Sequence, residues 1–272
     1  MTEDELILTS ILNCSRSDLY LRKPQLTAQQ QKQVEDYKHR RQNGEPLQYI
    51  LGSCDFMGLE LKVDPRVLIP RPETEVLVDE AIKKLGTAPY FLEEESNKNR
   101  ALSPILDLGT GSGNIAIALA KSLANVSVTA VDISQDALDV ARENAIKHGV
   151  DDRIKFVQAD MGDYLADSKG QFDLIISNPP YISTNQMKTL PADVQQEPRI
   201  ALEAGQDGLK FYIDIIKYTP PLLRTGAYLM MECGEGQAES ICSMLRISKS
   251  FSHIETIKDL TGRDRIILAI KE

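Results

Sequence analysis

After Pro104 the chain alternates short, largely apolar runs with segments of helical spacing, and this alternation is the strongest constraint on its fold. The runs are Ile105–Leu108, Val126–Val131, Ile154–Val157, Leu174–Ser177 and Tyr228–Met231; segments 114–123, 135–148, 208–223 and 236–246 have apolar residues at helical intervals. A strand with little polar alternation is buried on both faces, so the pattern predicts a parallel sheet covered by helices on each side. Between Val157 and Leu174 only a short polar segment is expected. The last two runs, Ser252–Lys258 and Arg265–Ile270, are joined through Thr261-Gly262 with no helix between them, which predicts antiparallel pairing. The expectation is an α/β fold with a seven-stranded, mostly parallel sheet and an antiparallel C-terminal strand.

A chain of 272 residues fits one medium domain plus a small one. Residues 1–44 read as a small helical domain, with Leu6, Ile7, Ile11 and Leu12 recurring at i, i+1, i+5 and i+6 and Thr27 placed to cap a polar segment running to Asn43-Gly44. Residues 45–73 read as a linker containing a β-hairpin over Gln48–Val63, where Leu59, Leu61 and Val63 alternate. Residues 74–272 form the main domain, opening with an amphipathic helix at Thr74, and the polar stretch Glu93–Arg100 reads as a surface loop.

The net charge of −9 argues against broad electrostatic attraction to nucleic acid, and stable nucleic-acid binding is not expected. Within Arg16–Arg41 seven Lys/Arg face three Asp/Glu, a mildly basic patch read as a solvated helix face or a contact surface for a macromolecule. The acidic N-terminus and the lack of any run near the ~18 apolar residues of a membrane span point to a cytoplasmic protein without membrane contact. Cys14, Cys54, Cys233 and Cys242 are scattered, suggesting neither a metal site nor a disulfide framework.

Three motifs carry the chemistry. Asp107-Leu108-Gly109-Thr110-Gly111-Ser112-Gly113 follows the first strand of the sheet and precedes a helix, and its alternate glycines let backbone approach a ligand at a helix N-terminus. The spacing is G-x-G-x-G, not the G-x-G-x-x-G of a dinucleotide site. Asp132 ends the second strand, where a carboxylate can accept two hydrogen bonds from a ribose diol, although helix capping is an alternative use. Asp160 after the third strand is poised between an adenine contact and a cap, with Met161 beside it to pack on the base. The fourth strand ends in Ser177-Asn178-Pro179-Pro180-Tyr181. Its prolines remove two donors, so the Asn178 side-chain oxygen and the Pro179 carbonyl can meet an incoming NH₂, with Tyr181 as a flat wall. Such a slot suits a planar nitrogen whose lone pair is delocalised: two acceptors stabilise the positive charge that develops as it attacks an electrophilic methyl. His39, His148 and His253 lie outside these motifs, which disfavours a histidine-based hydrolase.

DLGTGSG, VDIS and NPPY in this order resemble the class I S-adenosylmethionine-dependent methyltransferases, Rossmann-like enzymes. EPLQYILG (Glu45–Gly52), VLIPRPETE (Val67–Glu75), EPRIAL (Glu197–Leu202), GQDGL (Gly205–Leu209) and DLTGRDR (Asp259–Arg265) narrow the resemblance to the HemK/PrmC family of glutamine N5-methyltransferases. The resemblance implies S-adenosyl-L-methionine as cofactor, held by Gly109, Thr110, Gly111, Ser112, Gly113, Asp132, Met161 and Asn178. It implies a substrate site of Leu68, Asn178, Pro179, Pro180 and Tyr181, with Asn178, Pro179 and Tyr181 catalytic. The implied substrate is the glutamine of the Gly-Gly-Gln motif in class I peptide chain release factors, engaged through residues 1–44 to support translation termination. A DNA or RNA exocyclic-amine methyltransferase is the alternative, since a flipped base fits the same slot. A non-catalytic binding protein on the same fold is a third reading.

Overall fold

The computed structural model describes residues 2–87 and 103–272, so the expected loop at Glu93–Arg100 lies outside the described residues. Four helices lead the chain: α1 (Glu3–Leu12), α2 (Arg16–Arg22), α3 (Ala28–Gln42) and α4 (Leu47–Leu51). Thr2, Ser15 and Thr27 each open a helix with a capping box, the hydroxyl accepting a first-turn N–H while the residue three further on returns a bond to the cap. Of these helices only α1 and α4 contribute buried residues, Ile7 from the former and Leu47, Tyr49 and Ile50 from the latter. The basic patch is largely neutralised on its own surface: Arg16 pairs with Glu5, Arg22 with Asp18, Lys38 with Asp4, Arg40 with Glu45 and Arg41 with Glu3.

The hairpin is shorter than its sequence pattern suggests. Gln48–Leu51 belong to α4, which ends at Gly52 in a left-handed conformation, and only β1 (Ser53–Phe56) and β2 (Leu59–Lys62) pair antiparallel. The apolar run Tyr49-Ile50-Leu51 is buried as a helix, and a short apolar run does not by its period distinguish helix from strand.

The helix α5 (Pro72–Thr87) then leads to a sheet of β3 (Ser103–Leu108), β4 (Val126–Asp132), β5 (Ile154–Gln158), β6 (Phe172–Ser177), β7 (Leu223–Glu232), β8 (Phe251–Lys258) and β9 (Asp264–Lys271). Their order is β5-β4-β3-β6-β7-β9-β8, parallel except for β9, which runs antiparallel to both neighbours. The expected seven strands and the antiparallel C-terminal strand are both present. Four helices connect them: α6 (Asn114–Ser122), α7 (Gln135–Lys147), α9 (Lys210–Tyr218) and α10 (Ala238–Ser248). A further short helix, α8 (Met161–Asp167), forms where only a polar segment was expected, its first turn capped by the Asp160 carboxylate accepting from Gly162 and Asp163 N–H. The expected helix 208–223 stops at Tyr218 because Pro220 and Pro221 turn the chain through a 3₁₀ segment, and β7 starts earlier than Tyr228, at Leu223.

Successive residues of the central strands enter opposite cores. Ile105, Met230, Ile266 and Leu268 pack with α5, α6 and the hairpin residues Phe56 and Leu61. Leu106, Leu229, Met231, Ile267 and Ala269 pack with Leu165 of α8, Tyr212 and Ile215 of α9 and Leu245 of α10. This burial on both faces is why the runs Leu174–Ile176 and Ala227–Met231 are continuously apolar or aromatic.

One buried side chain ties the hairpin to the sheet domain. Asn144 on α7 accepts from the Lys62 N–H at 2.7 Å, and its amide donates to the carbonyls of Lys62 and Ser112, each at 3.0 Å. Asn144→Ala strands three backbone groups, and we expect a loss of about 2–3 kcal/mol in unfolding free energy by urea titration. A loss under about 0.5 kcal/mol would mean that water replaces all three bonds.

Candidate active site

The C-terminal ends of β3, β4 and β6 lie side by side and deliver the three motifs to one edge. In register, Leu108 faces Val131 on one side and Ser177 on the other, so Gly109, Asp132 and Asn178 emerge together. The Val131 carbonyl accepts from both Gly109 and Thr110 N–H, at 2.8 and 3.0 Å, and bends the glycine loop across the end of β4. The loop is fixed from the other side by Asp132, whose Oδ2 accepts from Gly111 N–H at 2.8 Å while Oδ1 accepts from Ser134 N–H at 2.9 Å. Burial raises the Asp132 pKa, opposed by those backbone donors and that of Ile133. Each carboxylate oxygen has two lone pairs, so Asp132 keeps acceptor capacity beyond those backbone donors. Capping of α7 falls to Ser134, whose hydroxyl accepts from Ala137 N–H.

Not every residue of the loop faces the same way. Gly109 and Gly111 line a cavity of about 480 Å³, together with Asp132, Ile133, Met161 and Asn178 among others. The Thr110 hydroxyl turns inward to donate to Asp107 Oδ2 at 2.6 Å, Ser112 is buried, and Gly113 packs close to Ile117 and Ala141. Asp107 is fully buried; desolvation first, and the Asp132 charge second, raise its pKa to about 7 despite the Thr110 hydroxyl and the Ala116 N–H. Asp160 both caps α8 and lines the cavity.

A second cavity, about 300 Å³, opens on the other side of Asn178. Pro179, Tyr181, Arg71, Glu73, Glu232 and Arg265 line it, while Leu68, Asn178 and Ala201 line both cavities and so form the wall between them. Pro180 faces the first cavity, and Pro179 the second. Burial pushes the Tyr181 phenol well above its usual range, so it stays neutral.

The Asn178 carboxamide is held from behind. Its Nδ2 donates to Thr74 Oγ1 at 3.0 Å, and the Thr74 hydroxyl donates to Glu232 Oε2 at 2.7 Å; both partners are buried. Burial is the main reason that the Glu232 pKa is raised to about 7. Farther out, Glu197 accepts from Ile69 N–H at 3.0 Å and from Arg71, clasping the loop after Tyr181 to the segment before α5. Arg265 donates to the Cys233 carbonyl at 3.1 Å and pairs with Asp259. Arg71, Glu197 and Arg265 fall within motifs noticeable in the sequence without standing out individually, and Thr74 is read there only as the start of a helix, which in fact begins at Pro72. Glu232 was missed, although a lone carboxylate at the end of the apolar run Tyr228–Met231 is the signal that could have found it.

A family profile described as a methyltransferase domain matches residues 99–253, and one described as the PrmC N-terminal domain matches residues 2–52. The release factor glutamine methyltransferase of Chlorobaculum tepidum is 42% identical over 266 residues, covering 96% of this chain and 87% of that protein. That of Geobacter sulfurreducens is 40% identical over 268 residues, covering 97% and 87%. The chain belongs to the release factor glutamine methyltransferase family. The solved structure of a methyltransferase from Pyrococcus furiosus shares the fold, with a TM-score of 0.55 over 87% of this chain and 98% of that one at 16% identity.

As a member of this family the protein is a methyltransferase that uses S-adenosylmethionine. The residues present fit that cofactor. Gly109 has a φ of +71° and lines the cavity, where a Cβ would sit in ordinary contact with Met161 Cε at 3.6 Å and occupy space that a ligand can use. Asp132 retains acceptors for a diol, and Ile133, 45% exposed at the cavity, offers apolar surface to a flat ring. Among the described residues no cluster of His, Cys, Asp and Glu is arranged to hold a metal ion, and no helix is long and apolar enough to cross a membrane.

Gly208 packs against Tyr181, which lines the second cavity. Its φ is +77°, and a Cβ there would lie 2.4 Å from the Tyr181 carbonyl oxygen and 2.6 Å from Gln237 Nε2, which itself donates to that carbonyl at 3.0 Å. We expect Gly208→Ala to displace Tyr181, lowering turnover at least ~10-fold and the melting temperature with it. Initial rates and thermal unfolding check this; wild-type turnover would show that the Tyr181 position tolerates the shift.

Proposed function

We infer that this chain transfers a methyl group from S-adenosylmethionine to the side-chain amide nitrogen (N5) of the glutamine in the Gly-Gly-Gln motif of class I peptide chain release factors. The observation that supports this reading is the meeting of two cavities at Asn178: one fits the cofactor, and the other, smaller one is lined by Asn178 and Pro179, whose side-chain and backbone oxygens can accept from an amide. The names of the curated relatives supply the release factor, and favour it over a nucleobase amine. Release factors act in translation, so the reaction belongs in the cytoplasm.

S-adenosylmethionine, when bound, supplies an electrophilic methyl carried on a sulfonium. Gly109, Gly111, Asp132 and Met161 hold the cofactor, with Asp132 accepting from the ribose diol and Met161 against the base. Thr110, Ser112 and Gly113 serve by shaping the loop, through the Thr110–Asp107 bond and the close packing of Gly113 on α7. Asn178 Oδ1 and the Pro179 carbonyl accept the two N–H groups of the glutamine amide, and Leu68, Pro180 and Tyr181 confine its plane. Amide nitrogen is a poor nucleophile because its pair is delocalised; two acceptors on its hydrogens draw positive charge outward as that pair turns toward the methyl. As the N–C bond forms the methyl–sulfur bond breaks, its electron pair staying on sulfur so that S-adenosylhomocysteine leaves as a neutral thioether; one of the two N–H protons goes to solvent, and a neutral N-methyl amide results. Residues 1–44 form the proposed docking domain, residues 45–73 the linker and residues 74–272 the catalytic domain. Selecting one glutamine on a folded partner requires contacts away from the slot, which the docking domain is free to make.

Two variants separate the two cavities. Asp132→Ala loses charge-assisted bonds worth about 1.5–3 kcal/mol each, so cofactor affinity by calorimetry should fall at least tenfold. Asn178→Ala should leave that affinity nearly intact while methylation of a release factor, followed by mass spectrometry, slows on the order of 10²–10³-fold in kcat. Full turnover by Asn178→Ala, or unchanged cofactor affinity in Asp132→Ala, would reverse the corresponding assignment.

A further inference from the structure

A carboxamide has two ends, and only one of them suits the slot. The oxygen must face the substrate nitrogen; an NH₂ there would confront another NH₂. Packing scarcely distinguishes the two orientations, since oxygen and amino group are close in size. Some polar neighbour has to break the tie.

We propose that Thr74 and Glu232 form a positioning relay that fixes which end of the Asn178 carboxamide faces the substrate slot. This rests on the reading of Asn178 Oδ1 as the substrate acceptor. The logic follows from counting protons. An ionised carboxylate only accepts, so the single proton of the Thr74 hydroxyl is committed to Glu232, across the 2.7 Å contact. Thr74 Oγ1 then has only lone pairs to offer, and Asn178 meets it with Nδ2, across 3.0 Å. With the nitrogen end held, Oδ1 is left for the slot. When Glu232 takes up a proton the constraint is lost, because the acid can donate to Thr74 and Thr74 can then donate to Asn178 Oδ1, consuming the acceptor.

The surroundings of Glu232 support a role in setting this polarity. The residue is buried at the end of β7, with its backbone carbonyl accepting from the Tyr212 hydroxyl of α9 at 2.8 Å. Arg265 from β9 and Arg71 before α5 favour its charge, whereas Glu73 of α5 opposes it. The Tyr181 and Tyr212 phenols and the Cys233 thiol also face it, each held neutral by burial. Desolvation outweighs the cations and raises the carboxyl to about 7. The active form is the ionised one, so turnover is present above that pKa and is lost as pH falls through it. Asp107 titrates in the same range at the cofactor side, which is why the variant, not the wild-type profile alone, identifies the group.

The test compares Thr74→Val, Thr74→Ser and Glu232→Gln with the wild type, using intact release factor as substrate and calorimetry with S-adenosylmethionine as the check on folding. Thr74→Val removes the hydroxyl and should lower kcat about 10–100-fold with cofactor affinity unchanged, while Thr74→Ser restores most of the turnover. Glu232→Gln substitutes a group that both donates and accepts; it should be slow and should lose the acid limb of the wild-type kcat profile. A second readout needs no turnover. In ¹⁵N spectra the Asn178 side-chain NH₂, identified by its absence from Asn178→Ala, should exchange slowly in the wild type and faster in Thr74→Val, and should shift with pH only while Glu232 is present. Equal kcat for Thr74→Val and Thr74→Ser, or an acid limb retained in Glu232→Gln at the wild-type midpoint, overturns the relay. So does an Asn178 NH₂ signal indifferent to both substitutions. Failure of the wild type to methylate a release factor would instead overturn the substrate reading, and the NMR arm would still decide the relay.

Discussion

Parallel pairing of β3 with β4 and β6 is the constraint on which the site depends. It brings three strand ends to one level, so residues far apart in sequence emerge as neighbours. Each end is then finished by a bond that a slipped register would break: the Val131 carbonyl receives two N–H groups of the glycine loop, and the Ser177 hydroxyl donates to the Leu108 carbonyl at 2.7 Å. Polar groups appear where the helices no longer cover the strands, and there the apolar sheet gives way to acceptors.

The strand ends form only the floor of the two cavities. The walls come from segments outside the sheet, and the contacts that hold them are mostly single buried polar groups. Glu197 joins the loop after Tyr181 to Ile69 and Arg71, and the Tyr49 hydroxyl of α4 donates to the Val67 carbonyl at 2.6 Å. Asn144 couples β2 to the glycine loop. Because each bridge spans many residues of chain, the linker and the cofactor loop are one mechanical unit, and disturbance on one side reaches the other through a few side chains.

The sheet was legible from sequence because both of its faces are buried: Leu106, Ile105 and their equivalents had no polar alternation to confuse the pattern, and the absence of a helix before β9 foretold its reversal. That Gly109, Asp132 and Asn178 would emerge together was legible because each ends or follows a strand that the alternation placed in one parallel sheet. What escaped was local or tertiary. Tyr49-Ile50 is apolar in either a helix or a strand, so α4 was read as part of the hairpin, and α8 was missed because its seven residues are too few to show a period. Thr110 looked like a ligand contact, but its proximity to Asp107 turns its hydroxyl inward. Thr74 and Glu232 were silent because a threonine in a first helical turn and a carboxylate at a strand end are ordinary; only their meeting behind Asn178, across 158 residues, gives them meaning.

Neither proline after Asn178 has a backbone N–H, so the chain there offers the proposed substrate amide acceptors only, and this limits what the proposed reaction can yield. Two acceptors are matched by a primary amide, which carries two N–H groups. A glutamine that has gained one methyl carries a single N–H, so it can satisfy only one acceptor and leaves the other buried against carbon, at a cost of about 1–3 kcal/mol. On the proposed reading the slot would therefore count hydrogens and end the reaction after one transfer, and a dimethylated glutamine among the products would contradict it.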